Sequence, residues 1–258
     1  MHLLTRPGRL LAALLVATTL HAVPAHAKTC EGDKTARDLL DATDDVTRGQ
    51  SSIATMEMHV KTSHYERTMK MKAWSKGTDD TLIRILEPAK DAGMATLKVG
   101  DNIWNYLPKV DRTMKVPAGM MSGNWMGSHF TNDDLVKESR LADDYTYEFT
   151  ECPADNEDGL YVLTLTPKPD APVVWGKVVS RVRPDEQPVE VTYYDEHGNL
   201  VRTMTFEDYK TFGDRTAPTK MTLVPADKPG EFTQITYDDL QFAADIPSST
   251  FTLQALEQ

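Results

Sequence analysis

Cysteine and histidine are scarce in this chain of 258 residues, and their scarcity limits the chemistry that it can perform. Beyond residue 27 the histidines are His59, His64, His129 and His197, and they form neither an H-E-x-x-H motif nor a Cys/His zinc spacing. The chain also lacks a G-x-S-x-G nucleophile elbow and a phosphate-binding loop. We therefore expect no enzyme active site, no bound metal and no cofactor.

Positive charge is also in deficit. Lys and Arg number 28 against 39 Asp and Glu, and the net charge is −11. Nucleic acids and anionic membrane surfaces both select for a basic footprint. The composition therefore excludes nucleic acid as a partner and predicts no more than transient membrane contact. An acidic surface of this kind favours a monomer that diffuses freely.

Long apolar runs are absent beyond residue 27, so no membrane-spanning helix is expected. Residues 1–27 begin with two arginines, continue with an apolar stretch from Leu10 to Leu20, and end on an A-x-A site at Ala27. This is the pattern of a secretory signal peptide. We interpret residues 1–27 as a cleaved signal and residues 28–258 as a single domain in the periplasm.

The two cysteines, Cys30 and Cys152, would then lie in an oxidising compartment. We predict one disulfide, which would close a loop of roughly 120 residues and stabilise the fold by on the order of 5 kcal/mol on the chain-entropy model. Two free thiols are the alternative. A lipid anchor on Cys30 is disfavoured, because Lys28 and Thr29 precede it where a lipid-attachment site requires small residues.

Alternation of apolar and polar residues with a period of two dominates the chain. The runs lie at 54–60, 69–71, 82–86, 97–99, 104–106, 161–165, 173–182, 189–193, 200–206, 219–224 and 232–237, with Phe251 and Leu253 in the tail. Residues 33–46 have the spacing of an amphipathic helix. Strands with one wet and one buried face form antiparallel sheets, so we predict a mainly β (α+β) fold with about ten or eleven strands.

An apolar and nearly uncharged loop runs from Met120 to Phe130, and we call it the lid loop. A large apolar segment of this kind marks a binding surface or a buried contact. After it, Thr131 and Asp134 have the spacing of a capping box with a carboxylate at the fourth position. We predict that the lid loop covers or lines a hydrophobic cavity.

Four residues are candidates for the hinges and the cap of this lid: Gly119, Gly127, His129 and Thr131. The glycines would supply flexible points on either side of the apolar side chains. For His129, which is close in sequence to Asp133, a capping or hinge contact is favoured over a charged or metal-binding role.

Methionine is concentrated in the first half, where nine of the eleven methionines beyond residue 27 lie between Met56 and Met126. Methionine is flexible and polarisable, and it suits surfaces that repack around varied apolar partners. Ordinary core filling is the alternative, but clustering up to the lid loop favours a cavity. The candidate cavity and lid residues are Met56, Met58, Met69, Met71, Trp74, Ile83, Ile85, Trp104, Tyr106, Met114, Met120, Met121, Trp125, Met126 and Phe130.

Six segments occur in a distinctive order: LEPAK at 86–90, GMA at 93–95, WNYLP at 104–108, MGSHFTNDDL at 126–135, YYD at 193–195 and FTL at 251–253. The set resembles the outer-membrane lipoprotein-sorting (LolA-like) family over roughly residues 50–258. The resemblance implies an open, strongly curved antiparallel β-half-barrel with a helical or loop lid over an apolar cavity. His129 stands where the family often has an acid, which would make that lid contact pH-sensitive.

The resemblance also implies a function. The cargo would be the acyl chains of a lipid or lipoprotein, carried between the inner and outer membranes, and the partner would be an inner-membrane MMPL/RND-type or ABC exporter. A periplasmic lipid-sensing adaptor of the same fold, which regulates a membrane partner without transport, is the alternative. A hydrolase of envelope lipids that uses His129 and Asp133 is the least favoured reading.

Overall fold

The computed structural model describes residues 28–32, 34–137, 141–171 and 173–258. The predicted signal at 1–27 lies outside the described residues, as does Asp33 at the start of the predicted helix. Within the described ranges, no helix has the length and apolar character that crossing a membrane requires.

Thirteen antiparallel strands form one continuous sheet. They are β1 (Ser51–Lys61), β2 (Glu66–Lys76), β3 (Asp80–Glu87), β4 (Ala95–Val99), β5 (Asn102–Leu107), β6 (Arg112–Lys115), β7 (Tyr145–Glu151), β8 (Tyr161–Pro167), β9 (Lys177–Val182), β10 (Pro188–Tyr194), β11 (Leu200–Phe212), β12 (Arg215–Pro225) and β13 (Phe232–Phe242). Their order across the sheet is β6-β5-β4-β3-β2-β1-β13-β12-β11-β10-β9-β8-β7. The predicted mainly β, curved and open antiparallel fold is confirmed, although the predicted count of ten or eleven strands is too low.

The two additional strands are β6 and β7, which are the two edges of the sheet. Strand β6 has only four residues and no buried side chain, so it leaves no alternation in the sequence. Strand β7 does alternate, but it follows directly on the acidic pair Asp143 and Asp144 and is not among the predicted strands. The tail differs as well, because residues Ser248–Phe251 form a 3-10 turn instead of extending the sheet.

The described residues also contain four α-helices: α1 (Ala36–Asp45), α2 (Asp134–Lys137), α3 (Leu141–Asp144) and α4 (Leu253–Leu256). Helix α1 begins at a capping box, in which Thr35 accepts from the Asp38 amide and the Asp38 carboxylate accepts from the Thr35 amide. Leu39 and Leu40 are its buried residues, and they pack into the core on the inner face of the sheet. The helix thus lies across the concave side of the sheet.

The predicted disulfide between Cys30 and Cys152 is present, with 5.4 Å between the two Cα atoms. It fastens the segment before α1 to the end of β7. An isolated bridge between Lys28 and Phe149 supports the same attachment. The disulfide therefore holds the start of α1 against one edge of the sheet.

The sheet carries a hydrophobic core on each face. The inner core joins both halves of the sheet and includes Met58 on β1 and Leu223 on β12. The outer core is smaller and lies where the C-terminal tail, through Phe251 and Leu256, packs against β3 and β4. Because the tail covers the outer face, both sets of alternating side chains on these strands are buried.

Candidate functional site

Side chains on the inner face of β1 to β4 form rows that change from polar to apolar along the strands. Residues directly opposite each other in adjacent strands share a face, so the strand register defines these rows. In order, the rows are Ser52, Ser75, Thr81 and Lys98; then Ala54, Ala73, Ile83 and Thr96; then Met56, Met71 and Ile85; then Met58 and Met69. We call the first of these the polar row.

A cavity of about 240 Å³ lies between this face, helix α1 and the lid loop. Its walls are the polar row, the second row and Met56, and the opposite wall comes from β10 to β13 through residues such as Val191, Met204 and Ile235. Trp125 of the lid loop lines it as well. The cavity is therefore polar at one end and apolar at the other.

Four of the predicted cavity residues line the cavity: Met56, Ile83, Trp125 and Phe130. Four others lie on the same face but are fully packed core beyond the cavity: Met58, Met69, Met71 and Ile85. These side chains fill the apolar end of the trough, so the trough is partly occupied by the protein itself and partly empty.

The remaining predicted cavity residues do not line the cavity. Trp74, Trp104 and Tyr106 point to the outer face and pack in the core under the C-terminal tail. The sequence does not predict this position on the outer face. Alternation with a period of two separates the two faces of a strand, but it does not tell which face is concave.

The lid-loop methionines and their neighbours also lie outside the cavity. Met114 and Met120 are exposed, and Met121 and Met126 are half-buried. Of the predicted hinges, Gly119 is exposed, and the space that a Cβ atom would occupy there is open.

The lid loop is held by hydrogen bonds to its backbone carbonyls. The Arg67 guanidinium donates to the Met126 carbonyl, and the Tyr65 hydroxyl donates to the Gly127 carbonyl. Gly127 has φ +66°, a conformation that glycine adopts without strain, which allows its carbonyl to face Tyr65. Strand β2 and the turn before it therefore hold the middle of the lid loop.

A further bond fixes the lid loop directly over the cavity. The Trp125 indole Nε1 donates to the Thr96 hydroxyl at 3.0 Å, and Trp125 is only 3% exposed. Because Thr96 lies in the second row of the cavity wall, this bond closes the cavity with an aromatic ring and leaves no unpaired polar atom on the indole.

His129 holds the end of the lid loop against β13, as a hinge contact would. Its Nδ1 lies 2.9 Å from the Thr233 hydroxyl, and its Nε2 lies 3.0 Å from the Glu231 carboxylate. Glu231 also accepts from the Ser63 amide at 2.8 Å. The hydrogen bond from His129, followed by the Ser63 contacts, lowers the pKa of Glu231 to about 2. Glu231 therefore remains ionised throughout the pH range in which proteins normally work.

Asp134, five residues after His129, has a different partner. The Asp134 carboxylate accepts two hydrogen bonds from Arg202 on β11, at 2.7 and 2.6 Å, and both side chains are over 90% buried. The guanidinium also packs on the rings of Trp175 and Tyr193, with its carbon 4.5 and 4.3 Å from the ring centroids. This cluster ties α2, and hence the end of the lid loop, to the second half of the sheet.

Thr131 makes the predicted capping contacts with the same carboxyl residue. Its hydroxyl accepts from the Asp134 amide at 3.2 Å, and its own amide donates to the Asp134 carboxylate at 2.7 Å. Sequence reasoning identified this cap but missed Arg202. A signal was present, because Arg202 and Met204 share the inward face of β11, where a charged residue requires a buried partner.

The cavity reaches the surface between α1 and α3, where its lining residues Arg37, Asp41 and Asp143 are exposed. The Arg37 guanidinium donates to the Asp41 carboxylate at 2.8 Å and to the Asp143 carboxylate at 3.2 Å. Exposed ion pairs of this kind contribute little to stability. The ion pairs of Arg37 therefore add little to the contact between α1 and α3, where Leu40 and Ala142 are buried in the inner core.

The polar end of the cavity holds charges of both signs. Lys98 is 3% exposed, and its ammonium donates to the carbonyls of Thr78 and Asp79 in the turn between β2 and β3. Burial lowers the pKa of Lys98, and Arg48 nearby adds to this effect. Asp44 on α1 faces the same end, and burial raises its pKa to about 6 despite the opposing effect of Arg48.

Replacing Asp44 by asparagine is expected to stabilise the protein at neutral pH. Folding raises the pKa of the Asp44 carboxyl from 3.8 to about 6. The free energy of unfolding therefore falls as the pH rises between these two values, because the carboxyl of the unfolded chain releases its proton first. The variant should therefore have a free energy of unfolding higher by on the order of 2 kcal/mol at pH 7.5. Urea unfolding at pH 7.5 and pH 4 measures the difference, which should narrow towards zero at pH 4.

The matched control is Asp239→Asn, which changes an exposed acid on β13. It should alter the free energy of unfolding by less than about 0.5 kcal/mol at both pH values. A stabilisation by Asp44→Asn that is equal at pH 4 and pH 7.5 would contradict the assignment of the effect to the buried carboxylate.

Comparisons with known proteins show which family the chain belongs to. A protein-family model described only as an uncharacterized protein matches residues 77–258, and the chain belongs to the family that it describes. No curated protein matches the chain. Among the described residues, no group of three or more His, Cys, Asp or Glu side chains could hold a metal ion.

Solved structures share the fold over nearly their whole length. A DUF1329 family protein from Desulfovibrio piger has a TM-score of 0.76 at 24% identity and covers 85% of this chain and 97% of its own. A lipoprotein-sorting protein domain from Vibrio parahaemolyticus has a TM-score of 0.72 at 25% identity and covers 85% and 98%. A LolA superfamily protein from Nitrosomonas europaea has a TM-score of 0.71 at 24% identity and covers 86% and 100%.

The chain has the LolA-like fold. The resemblance found in the sequence is thus confirmed, because the chain shares its fold with a lipoprotein-sorting protein domain and a LolA superfamily protein. None of these three LolA-like structures is named as an enzyme. The disulfide agrees with an oxidising compartment such as the periplasm.

Proposed function

We propose that this protein is a periplasmic carrier, which takes the acyl chains of a lipid or lipoprotein into its cavity and moves the cargo between the inner and outer membranes. Loading from an inner-membrane exporter of the MMPL/RND or ABC type is part of the proposal. The observation that carries it is the cavity of about 240 Å³ beneath Trp125 and Phe130, which is apolar at one end and polar at the other.

The two ends of the cavity suit the two ends of an amphiphile. An acyl chain gains about 0.8 kcal/mol for each buried CH₂, so a chain of sixteen carbons could gain on the order of 10 kcal/mol. The part of such a chain that enters the cavity would lie against its apolar lining, between Met56 and Phe130. The hydroxyls of Ser52, Ser75 and Thr81 face the polar end, where the head of the cargo would find hydrogen-bonding partners.

Release requires a covering element that moves. The lid loop is attached through the buried side chains of Trp125 and Phe130 and through hydrogen bonds that include those of Arg67, Tyr65 and His129. A protein whose binding-competent state must open has a reduced apparent affinity, which favours transfer to a tighter binder. No nucleotide motif is present, so we assign release to transfer down an affinity gradient.

The test is binding of a fluorescent fatty acid to the wild type and to Ala73→Phe. Ala73 lines the second row of the cavity, and a phenyl ring there would occupy the space of several methylenes. Loss of about three buried methylenes should weaken binding on the order of 50-fold. Ala89→Phe, the same substitution at an exposed turn, is the matched control and should bind like the wild type.

Native mass spectrometry of protein purified from its host envelope identifies the cargo. An acyl species on the wild type and none on Ala73→Phe is the expected result. A wild type that is empty and also fails to bind the probe would overturn the proposal. Binding of the probe without transfer of lipid between donor and acceptor vesicles would instead point to the lipid-sensing adaptor.

A further inference from the structure

The edge of the sheet at β6 carries an unusual concentration of exposed apolar side chains. Val110 is 65% exposed, Met120 is 61% exposed and Met114 is 37% exposed. All three fall within residues 109–120, which comprise β6 and the turns on each side of it. We call this segment the basic edge, for the charges described next.

Three exposed cations accompany these apolar residues: Lys109, Arg112 and Lys115. The one acid of the segment, Asp111, accepts a hydrogen bond from the Tyr106 hydroxyl at 3.0 Å. Glu257 also approaches, because the Thr113 hydroxyl donates to it at 2.7 Å. The segment therefore has an excess of positive charge in a chain whose net charge is −11.

Protection of the sheet edge explains only part of this composition. Edge strands often carry lysine, since a charge deters pairing with another chain. That role does not require Val110 or Met120, which lie in the turns on either side of the strand and expose apolar surface to water. Cations interspersed with exposed apolar side chains are instead the composition of segments that rest at a membrane interface.

We infer that the basic edge docks this protein transiently on the surface of an anionic bilayer. The cations would meet the lipid phosphates while Val110, Met114 and Met120 enter the interface. Since the rest of the chain is acidic, an anionic surface repels it and so orients this edge towards the membrane. Transient docking agrees with the net charge, which predicts no more than transient membrane contact, and the local charge assigns that contact to this edge.

The basic edge lies next to the lid loop, so docking there would bring the membrane close to the cavity. The chain passes from β6 directly into the lid loop, whose Trp125 and Phe130 line the cavity. A bilayer at the basic edge would therefore lie beside the segment that must move for cargo to enter or leave. The inference concerns where the protein docks, so it holds whether or not the cavity takes an acyl chain.

The test is co-sedimentation with vesicles, without cargo, at low salt. One set contains phosphatidylglycerol and phosphatidylethanolamine, and the other contains only phosphatidylcholine. The wild type should bind the anionic vesicles and not the neutral ones, and 0.5 M salt should release it because screening weakens exposed charges. Each cation contributes about fivefold in affinity, so the triple variant Lys109→Gln/Arg112→Gln/Lys115→Gln should bind on the order of 100-fold more weakly.

The matched control removes three exposed lysines from β1 and β2: Lys61→Gln/Lys70→Gln/Lys76→Gln. It has the same change in net charge and should bind like the wild type. A second variant, Val110→Ser/Met120→Ser, should also lose affinity while it keeps every charge. Failure of the wild type to bind, equal binding to neutral vesicles, or equal losses in the two triple variants would each overturn the inference.

Discussion

Replacement of Arg202 by methionine is expected to lower the free energy of unfolding by about 3–5 kcal/mol. The Asp134 carboxylate is 7% exposed and accepts two hydrogen bonds from this guanidinium. Methionine fills similar space but leaves the carboxylate buried without that partner, and an uncompensated charge in such a site is costly. The packing of Arg202 on Trp175 and Tyr193 is lost as well.

Urea unfolding at pH 7.5 measures this effect, and two further variants define it. Arg202→Lys keeps the positive charge but not the two-pronged geometry, so its stability should fall between those of methionine and the wild type. Arg181→Met breaks an ion pair with Asp158 that is largely exposed, and it should cost less than about 1 kcal/mol. A loss below 1 kcal/mol for Arg202→Met would mean that the buried pair does not hold the lid to the sheet.

Replacement of Cys30 and Cys152 by serine is expected to cost about 3–5 kcal/mol of unfolding free energy. The disulfide closes a loop across a sequence separation of 122, and on the chain-entropy model a loop of about 100 residues gains about 4.7 kcal/mol from its cross-link. For a chain of this size such a loss lowers the melting temperature by on the order of 10 °C. Thermal unfolding of the two proteins provides the measurement.

A reducing agent supplies the control for the disulfide. Dithiothreitol should lower the melting temperature of the wild type to near that of the double serine variant and leave the variant unchanged. If the variant melts with the wild type, the attachment of the segment before α1 contributes nothing. Acyl binding should weaken along with stability, because α1 forms one wall of the cavity.

Much of the fold follows from the sequence because the signals are local. The alternation of Met56, Met58 and Val60 with polar neighbours is strong enough to define β1, and Thr35 and Asp38 mark the start of α1. The disulfide also follows, since the chain has two cysteines. Each of these predictions depends on residues that are close in sequence or on a pair with a single possible connection.

The composition of the cavity wall does not follow in the same way. Trp74 and Ala73 are adjacent on β2, and only the direction of curvature places Ala73 in the cavity and Trp74 under the C-terminal tail. Curvature depends on the whole sheet, so the sequence of a single strand does not determine it. The pairing of Asp134 with Arg202 spans 68 residues and becomes visible only when β11 is placed beside the lid.

The pairing of the first strand with the last has a consequence for how the protein folds. Ser52 on β1 lies opposite Phe242 on β13, so the middle of the sheet joins residues about 190 positions apart. Contacts so distant in sequence make folding slow, since a long loop must close before they form. A chain in which β1 has not yet paired with β13 would have an open sheet edge at β1, and open edges of this kind favour pairing with other chains.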